Sequence, residues 1–351
     1  MGRIDLRAEV REFLSSRRAR ITPQQAGLPA YGGNRRVKGL RREEVAMLAG
    51  VSIDYYVRME RGNLAGASDS VLDALARALQ LDEAEHEHLF ALARASGPSA
   101  RHAGAPPPGP GAPRDDTPGT GSGARRDGTP GTGSGARRDG TPPTDSGARR
   151  DNAPPAGSGA RRGRRSPTGV GPAVQQVLDA ITDAPAWVRN GRHDILATNR
   201  LARALYAPIL ATPRHPPNTT RFLYLDETAP EFFVDWDRIA CDAAAMLRLE
   251  AGRNPYDPDL IELVGELSTR SGVFRQRWAS HDVRFHRSGR KRLRHPVVGR
   301  LDLDFESMEL TSEPGLILNV YTAATGTPAA DGLRMLASWA ATQDLNAPDG
   351  R

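Results

Sequence analysis

GLRREEVAMLAGVSIDYYVRMERG, residues 39–62, decides the fold of the first third of the chain. Val45, Leu48 and Ala49 fall on one face of a short helix. Gly50 can take the left-handed conformation that ends it, and Ser52 is a good N-cap for the next helix. The connection is therefore only Gly50-Val51-Ser52. Two helices joined so tightly cross steeply, in the helix-turn-helix arrangement. Ala46 suits that crossing, where a larger side chain would push the helices apart, and Tyr56 reads as core.

Working outward, Leu6, Val10, Phe13 and Leu14 fall at i, i+4, i+7 and i+8, the inner face of a helix over about 5–16. Two further amphipathic helices follow the central pair. One is capped by Ser68 and buries Val71, Leu72, Leu75 and Leu79. The other opens with Asp82 and Glu85 in capping-box spacing and buries Leu89, Phe90 and Leu92. Five helices within residues 1–100 make an all-α domain. Its charge is uneven: residues 1–42 carry 11 basic and 3 acidic residues, whereas 63–100 carry 2 and 6. A basic front beside a tight helical turn points to DNA, although an equally patterned bundle could bind protein instead. The second helix of the pair would enter the major groove with its N-terminal end toward base edges. Ser52, Ile53, Asp54, Tyr55, Val57, Arg58 and Arg61 are the residues free to read DNA. Ile53 suits a thymine methyl, Asp54 cytosine N4, and Arg58 guanine or phosphate. Arg35, Arg36, Lys38 and Arg41 are expected to hold the backbone.

From Arg101 to Thr168 no residue is more apolar than alanine, and 27 of 68 are Gly or Pro. Such a segment has nothing to bury against its ordering entropy and is expected to be disordered. Four twelve-residue repeats fill it: RDDTPGTGSGAR from Arg114, RDGTPGTGSGAR from Arg126, RDGTPPTDSGAR from Arg138 and RDNAPPAGSGAR from Arg150. They lack the apolar position that a stacked solenoid needs. Gly119, Gly121 and Ala124 spell G-x-G-x-x-A, but no strand precedes them and no helix follows, so no dinucleotide site is expected.

Residues 169–351 hold all four tryptophans and read as α+β. Helices are expected over 172–183, 235–252, 257–268, 272–280 and 328–342. Arg300 to Glu306 alternates strictly, with Leu301, Leu303 and Phe305 on one face. Leu316, Leu318 and Val320 form a second strand, and Trp187–Val188 with Ile195–Thr198 suggest a hairpin around Asn190-Gly191. Trp187, Tyr206, Phe222, Phe232, Phe233, Trp236 and Trp278 are enough aromatics to line an apolar pocket, with Asn199, His281 and Arg284 as polar candidates for it. Arg284 to Arg300 has seven basic residues with His286 and His295 among them. It reads as an anionic head-group site, a second DNA contact or an exposed hairpin.

Several strings carry a family resemblance. LRREEVAMLAGVS (40–52), DYYVRMERG (54–62) and LDALARALQL (72–81) resemble XRE-type helix-turn-helix regulators, the MmyB-like branch in particular. DWDRIACDAAAMLRLEAGRNPYDPDLIELVGELSTRS (235–271) and FRQRWASHDVRFHRSGRKRLRHPVVGRLDLDFESMEL (274–310) continue it. Two departures are Tyr56, where a branched aliphatic is usual, and Thr198, where a tryptophan usually precedes the Asn199-Arg200 pair. The resemblance implies a PAS-like ligand-binding domain for a small, largely apolar, fatty-acid-like effector. It also places Arg42 where relatives carry a phosphate-clamping polar residue.

Composition narrows the function further. The single cysteine, Cys241, excludes a disulfide scaffold and a cysteine metal site. No apolar run is long enough to span a bilayer, and MGRIDLRAEV lacks a signal-peptide core, so a cytoplasmic protein is expected. No G-x-S-x-G, H-E-x-x-H or P-loop occurs, and neither lysine follows a glycine-rich phosphate loop. The expectation is a non-enzymatic, cofactor-free, homodimeric transcription regulator in three parts: a helix-turn-helix domain (1–100), a linker (101–168) and a ligand-binding domain (169–351). The alternative is a ligand-independent regulator whose second domain serves dimerisation or protein docking. The long linker carries its own expectation, that the domains couple only through effective concentration.

Overall fold

The computed structural model describes residues 5–28, 37–97, 169–212 and 216–346, with the side chains of 343–346 left aside. The repeat linker, Arg35 and Arg36 lie outside the described residues. Asp5 caps the first helix, α1 (Leu6–Arg20), by accepting from the N–H groups of Arg7 and Ala8. The helix outlasts its apolar spacing because Arg17, Arg18 and Arg20 in the last turn complement the helix dipole. Then come α2 (Arg42–Leu48) and α3 (Ile53–Glu60). Gly50 between them has φ +65°, the left-handed turn expected of it, and Ser52 Oγ accepts from Tyr55 N at 3.2 Å. Ser68 caps α4 (Asp69–Ala78), and the Asp82/Glu85 capping box opens α5 (Glu83–Ser96). Val10, Phe13, Leu14, Val45, Tyr56 and Leu75 are fully buried in the shared core. Each such side chain contributes roughly 1.5–3 kcal/mol.

The second domain begins with α6 (Pro172–Ala180), β1 (Ala186–Asn190) and β2 (Ile195–Thr198). Four short helices follow: α7 (Arg200–Leu205), α8 (Ala207–Leu210), α9 (Thr219–Leu225) and α10 (Ala229–Phe232). These were not expected from spacing, because helices of four to seven residues are too short to show a period. Longer helices α11 (Trp236–Arg253), α12 (Pro258–Arg270) and α13 (Gly272–Trp278) lead to β3 (Ser288–His295), β4 (Gly299–Glu309), β5 (Leu316–Thr322) and α14 (Pro328–Asn346). The five strands form one antiparallel sheet in the order β2-β1-β5-β4-β3. This is the α+β architecture expected.

Period-two alternation divides the sheet's two faces. Ala186, Val188, Leu316 and Leu318 pack under α6. Trp187, Leu303, Phe305 and Tyr321 point the other way, into the larger core with α7–α11 and α14. The basic stretch after residue 284 resolves into the β3–β4 hairpin. On its outer face Arg290 pairs with Asp304, Arg300 with Asp302, and Arg292 with Asp235. Lys291 and Leu293 alternate inward.

The domains do not hang apart on a tether. Their described parts belong to one compact unit, which corrects the expectation of coupling through effective concentration alone. Helix α11 lies against α5: Arg253 pairs with Glu87 at 2.6 Å, and Gly252 faces His88 so closely that a Cβ there would lie 2.5 Å from Nδ1. Buried Arg248 pairs with Glu9 of α1. Arg17 donates to the His281 carbonyl at 2.6 Å, and Val283 is buried in the N-terminal core.

Candidate nucleic-acid surface and buried cavity

Helix α3 presents the surface that its sequence suggested. Ser52, Ile53, Asp54, Arg58 and Arg61 are exposed, while Tyr55 and Val57 are half-buried. The Arg58 guanidinium lies 4.6 Å from the Tyr55 ring centroid, which holds it along the helix by a cation–π contact. Tyr56 is fully buried, as its reading as core requires. Lys38, Arg41 and Arg42 are exposed beside α3. Among the described residues Arg41 pairs with Glu43, two positions on, at 3.3 Å.

One residue that organises this surface was not singled out from sequence. Glu60, 1% exposed at the end of α3, accepts from Arg18 at 2.6 Å and from Arg42 at 2.5 Å. A buried carboxylate between two arginines ties α3 to α1 and α2 through charge-assisted bonds. Arg42 is thus fixed by Glu60 while its side chain stays about half exposed, and the pairing raises its pKa further.

The second domain encloses a cavity of about 40 Å³ between the sheet, α9 and α11. That is room for a few waters. Trp187, Tyr206, Leu223, Phe233, Phe305 and Tyr321 form apolar wall, and cations enter from two strands. Arg189 of β1 is buried, and burial pulls it down to about 10, offset in part by Glu250. Lys291 of β3 places its ammonium 5.6 Å from the Phe305 ring centroid; burial and then the Arg189 charge pull it down to about 8. Asp242 is the one carboxylate among the lining residues, and Arg284 occupies it at 2.9 Å.

Two histidines complete the wall. His193 has φ +69°, and its Nδ1 meets Thr220 Oγ1 at 2.6 Å. His286 stacks on Phe305 with centroids 4.5 Å apart. Burial first, then neighbouring cations, hold both well below the ordinary histidine range, so both are neutral near pH 7. Each keeps a buried Nε2 without a hydrogen-bond partner among the described residues. Tyr206 and Tyr321 share a 2.5 Å hydroxyl contact, and burial pushes both phenols up, Tyr321 to about 12. Aromatic walls, two cations and open imidazole nitrogens complement a small organic anion.

Of the ten pocket candidates read from sequence, Trp187, Tyr206 and Phe233 line this cavity. Arg284 stands behind it on Asp242. The other six, Phe232 among them, lie elsewhere, each for a visible reason. Asn199 caps α7 and spends its amide on backbone, accepting from Ala186 and Ala202 and donating to Ile181 and Ala184. Phe222 is buried edge-on between Phe232 and Phe233. Trp236 donates to the Leu223 carbonyl at 2.8 Å, with Arg277 over its ring. Trp278 stacks on Phe274 beneath Arg248. His281 sits at the domain junction, its Nε2 2.7 Å from Glu12. Lys291 and His286 belong to the basic stretch for which an anionic head-group site was one of three readings, whereas Arg189 and His193 were not expected here. The available signal was an arginine inside a strand otherwise read as core.

Among the described residues, no helix is long and apolar enough to cross a membrane. Residues 170–336 match the family described as the MmyB-like transcription regulator ligand binding domain. Residues 9–89 match a helix-turn-helix domain family. No curated protein matches the chain.

Proposed function

Since the chain matches an MmyB-like regulator, a DNA-binding transcription regulator with a ligand-binding domain, we propose that it acts as a cytoplasmic homodimer on an inverted-repeat operator and answers to a compact organic acid. The observation that carries the effector reading is the cavity, where Arg189 and Lys291 converge with a single carboxylate that Arg284 already occupies. The acid's carboxylate would sit against these cations and accept from neutral His193 or His286, with its apolar part along Trp187, Phe233 and Phe305. The cavity of about 40 Å³ has to open to admit any organic acid, and this narrows the fatty-acid-like effector implied by the resemblance to a short-chain or aromatic acid over a long alkyl chain. Residues of α3 would read bases, with Lys38, Arg41 and Arg42, and Arg35 and Arg36 outside the described residues, on phosphate.

The test is thermal unfolding of the full chain with hexanoate, benzoate, palmitate or neutral hexanol. A ligand bound only by the folded state stabilises by about 2.7 kcal/mol at a hundred times its Kd. Hexanoate or benzoate should raise the midpoint, hexanol should not, and Lys291→Met should abolish the rise. A response to palmitate alone, or equal responses to acid and alcohol, overturns this reading. Selection from random duplexes should return an inverted repeat with half-sites one or two helical turns apart.

A further inference from the structure

His281 to Arg287 runs between the cavity and the DNA-binding domain, and from Val283 onward its side chains alternate. Val283 is buried in the N-terminal core, and Phe285 packs against that core. Arg287 reaches Glu83 at the start of α5, at 2.9 Å. His281 contacts Glu12, and its carbonyl accepts from buried Arg17. Of the residues between these, Arg284 and His286 turn the opposite way, while Asp282 stays on the N-terminal side, 3.8 Å from Arg17. Arg284 holds Asp242 in the cavity wall, and His286 is wall itself, stacked on Phe305. Such alternation is the geometry of extended chain, yet residues 282–287 belong to no strand. One face of the segment therefore bounds the cavity while the other is core of a different domain.

Shared backbone makes these two faces mechanically dependent. His286 cannot shift far without displacing Phe285, and Arg284 cannot shift without Val283. Packed cores take up such displacement in discrete steps rather than by continuous yielding. The segment also starts from a strained point, since His281 has φ +54°, which non-glycine residues seldom adopt. Beyond it the contacts continue toward DNA. Arg17 holds His281, and the next residue, Arg18, holds Glu60 at the end of α3.

We propose that residues 281–287 are the element through which the cavity and the DNA-reading helix bias one another. Occupancy of the cavity repositions His286 and the Arg284–Asp242 pair, and the same backbone moves Val283 and Phe285 within the N-terminal core. The proposal rests on the effector reading only for its trigger; the linkage itself exists without ligand.

Hydrogen exchange on the full chain tests it, first with no ligand. His286→Ala should raise exchange several-fold in 281–287 and in α1 and α5, leaving α12 protected. His286→Asn replaces it if the alanine variant loses cooperative melting. Phe233→Leu alters the same cavity away from the segment and should leave α1 and α5 at wild-type rates. Because coupling is reciprocal, Phe285→Ala should raise exchange around Phe305. The proposal is overturned if the effect of His286→Ala stays within the cavity, or if Phe233→Leu opens α1 and α5 equally. In a second arm, saturating hexanoate should change exchange in 281–287 and α5 of wild type, and in 281–287 alone of Phe285→Ala. Hexanoate that fails to shift the melting midpoint counts against the effector reading, while the ligand-free variants still decide the linkage.

Discussion

Glu9 and Arg248 stand 239 positions apart and form a buried ion pair between α1 and α11. Arg248 also lies 4.0 Å from the Trp278 ring centroid and donates to the Trp278 carbonyl. His281 and His88 flank Glu9 at 3.5 and 3.7 Å. Burial pushes the Glu9 carboxyl up, but the histidine contacts and the Arg248 charge outweigh it and hold the group far below the usual carboxylate range. The junction between the domains is thus built on a charge that cannot be removed from one side alone.

Glu9→Ala should cost about 3–5 kcal/mol, because it leaves Arg248 buried without its partner. The pH sign follows from the lowered carboxyl. Its contribution is present above the ordinary value of 4.5 and is lost as pH falls below it. Urea unfolding at pH 7 and pH 3.5 checks both points. Glu9→Gln should be destabilised at pH 7 and should lose less stability than wild type on acidification.

Gly252 is glycine because a neighbouring domain occupies its side-chain space. An alanine Cβ would lie 2.5 Å from Nδ1 of His88, a fully buried ring. Gly252→Ala should therefore destabilise by about 1–3 kcal/mol through overpacking. Adding His88→Ala should recover part of that loss, giving a non-additive pair in a double-mutant cycle. Strict additivity would mean that the two domains do not meet there in solution.

On α3 and its neighbours, position and charge predict two different defects. Arg58→Ala should cost about 1–3 kcal/mol and relax preference at one base pair. Lys38→Ala should weaken all sequences alike and lower the salt slope by about one. Binding isotherms on a selected duplex and its single-base variants, at three salt concentrations, separate the two.

The local grammar of the chain was legible where it depends on neighbours in sequence. Gly50, Ser52, Ser68 and the Asp82/Glu85 pair set helix ends by local hydrogen bonding, and all are found in those roles. The strict alternation around Arg300–Glu306 likewise became β4. The junction was not legible, because Glu9–Arg248 and Gly252–His88 meet only through tertiary packing. A long Gly/Pro linker argued for independence, yet linker length does not decide whether two surfaces fit. The cavity was partly legible: its aromatics stood out, Lys291 lay in a basic stretch open to three readings, an anionic head-group site among them, and Arg189 carried no signal beyond its place in a strand. The segment 281–287 was legible only in pieces, His281 and Arg284 as polar pocket candidates and Arg284 to Arg287 as the start of a basic run, because its two-sided packing depends on the domain junction.

The cavity makes a last prediction from Lys291, whose pKa stands at about 8 instead of 10.5. Between these values the folded chain holds fewer protons than the unfolded one, so the ligand-free protein should gain stability from this group as pH rises through that window. An anion bound against Lys291 favours the ammonium and raises its pKa again. Below pH 8 the charge is already present, and hexanoate affinity should be flat with pH. Above pH 8 binding must bring a proton with it, and affinity should fall by up to tenfold per unit. His193 and His286 are neutral across this range, and Arg189, at about 10, stays mostly charged up to pH 9. Titration calorimetry at pH 7 and pH 9, in buffers of different ionisation enthalpy, should therefore show proton uptake approaching one at pH 9 only. Lys291→Met should remove that uptake and weaken binding by about 1.5–3 kcal/mol at pH 7, the worth of a charged hydrogen bond. Ligand affinity and ligand-free stability thus move in opposite directions over one pH window. If both rise together, or if Lys291→Met leaves the uptake in place, the anion is not bound at Lys291.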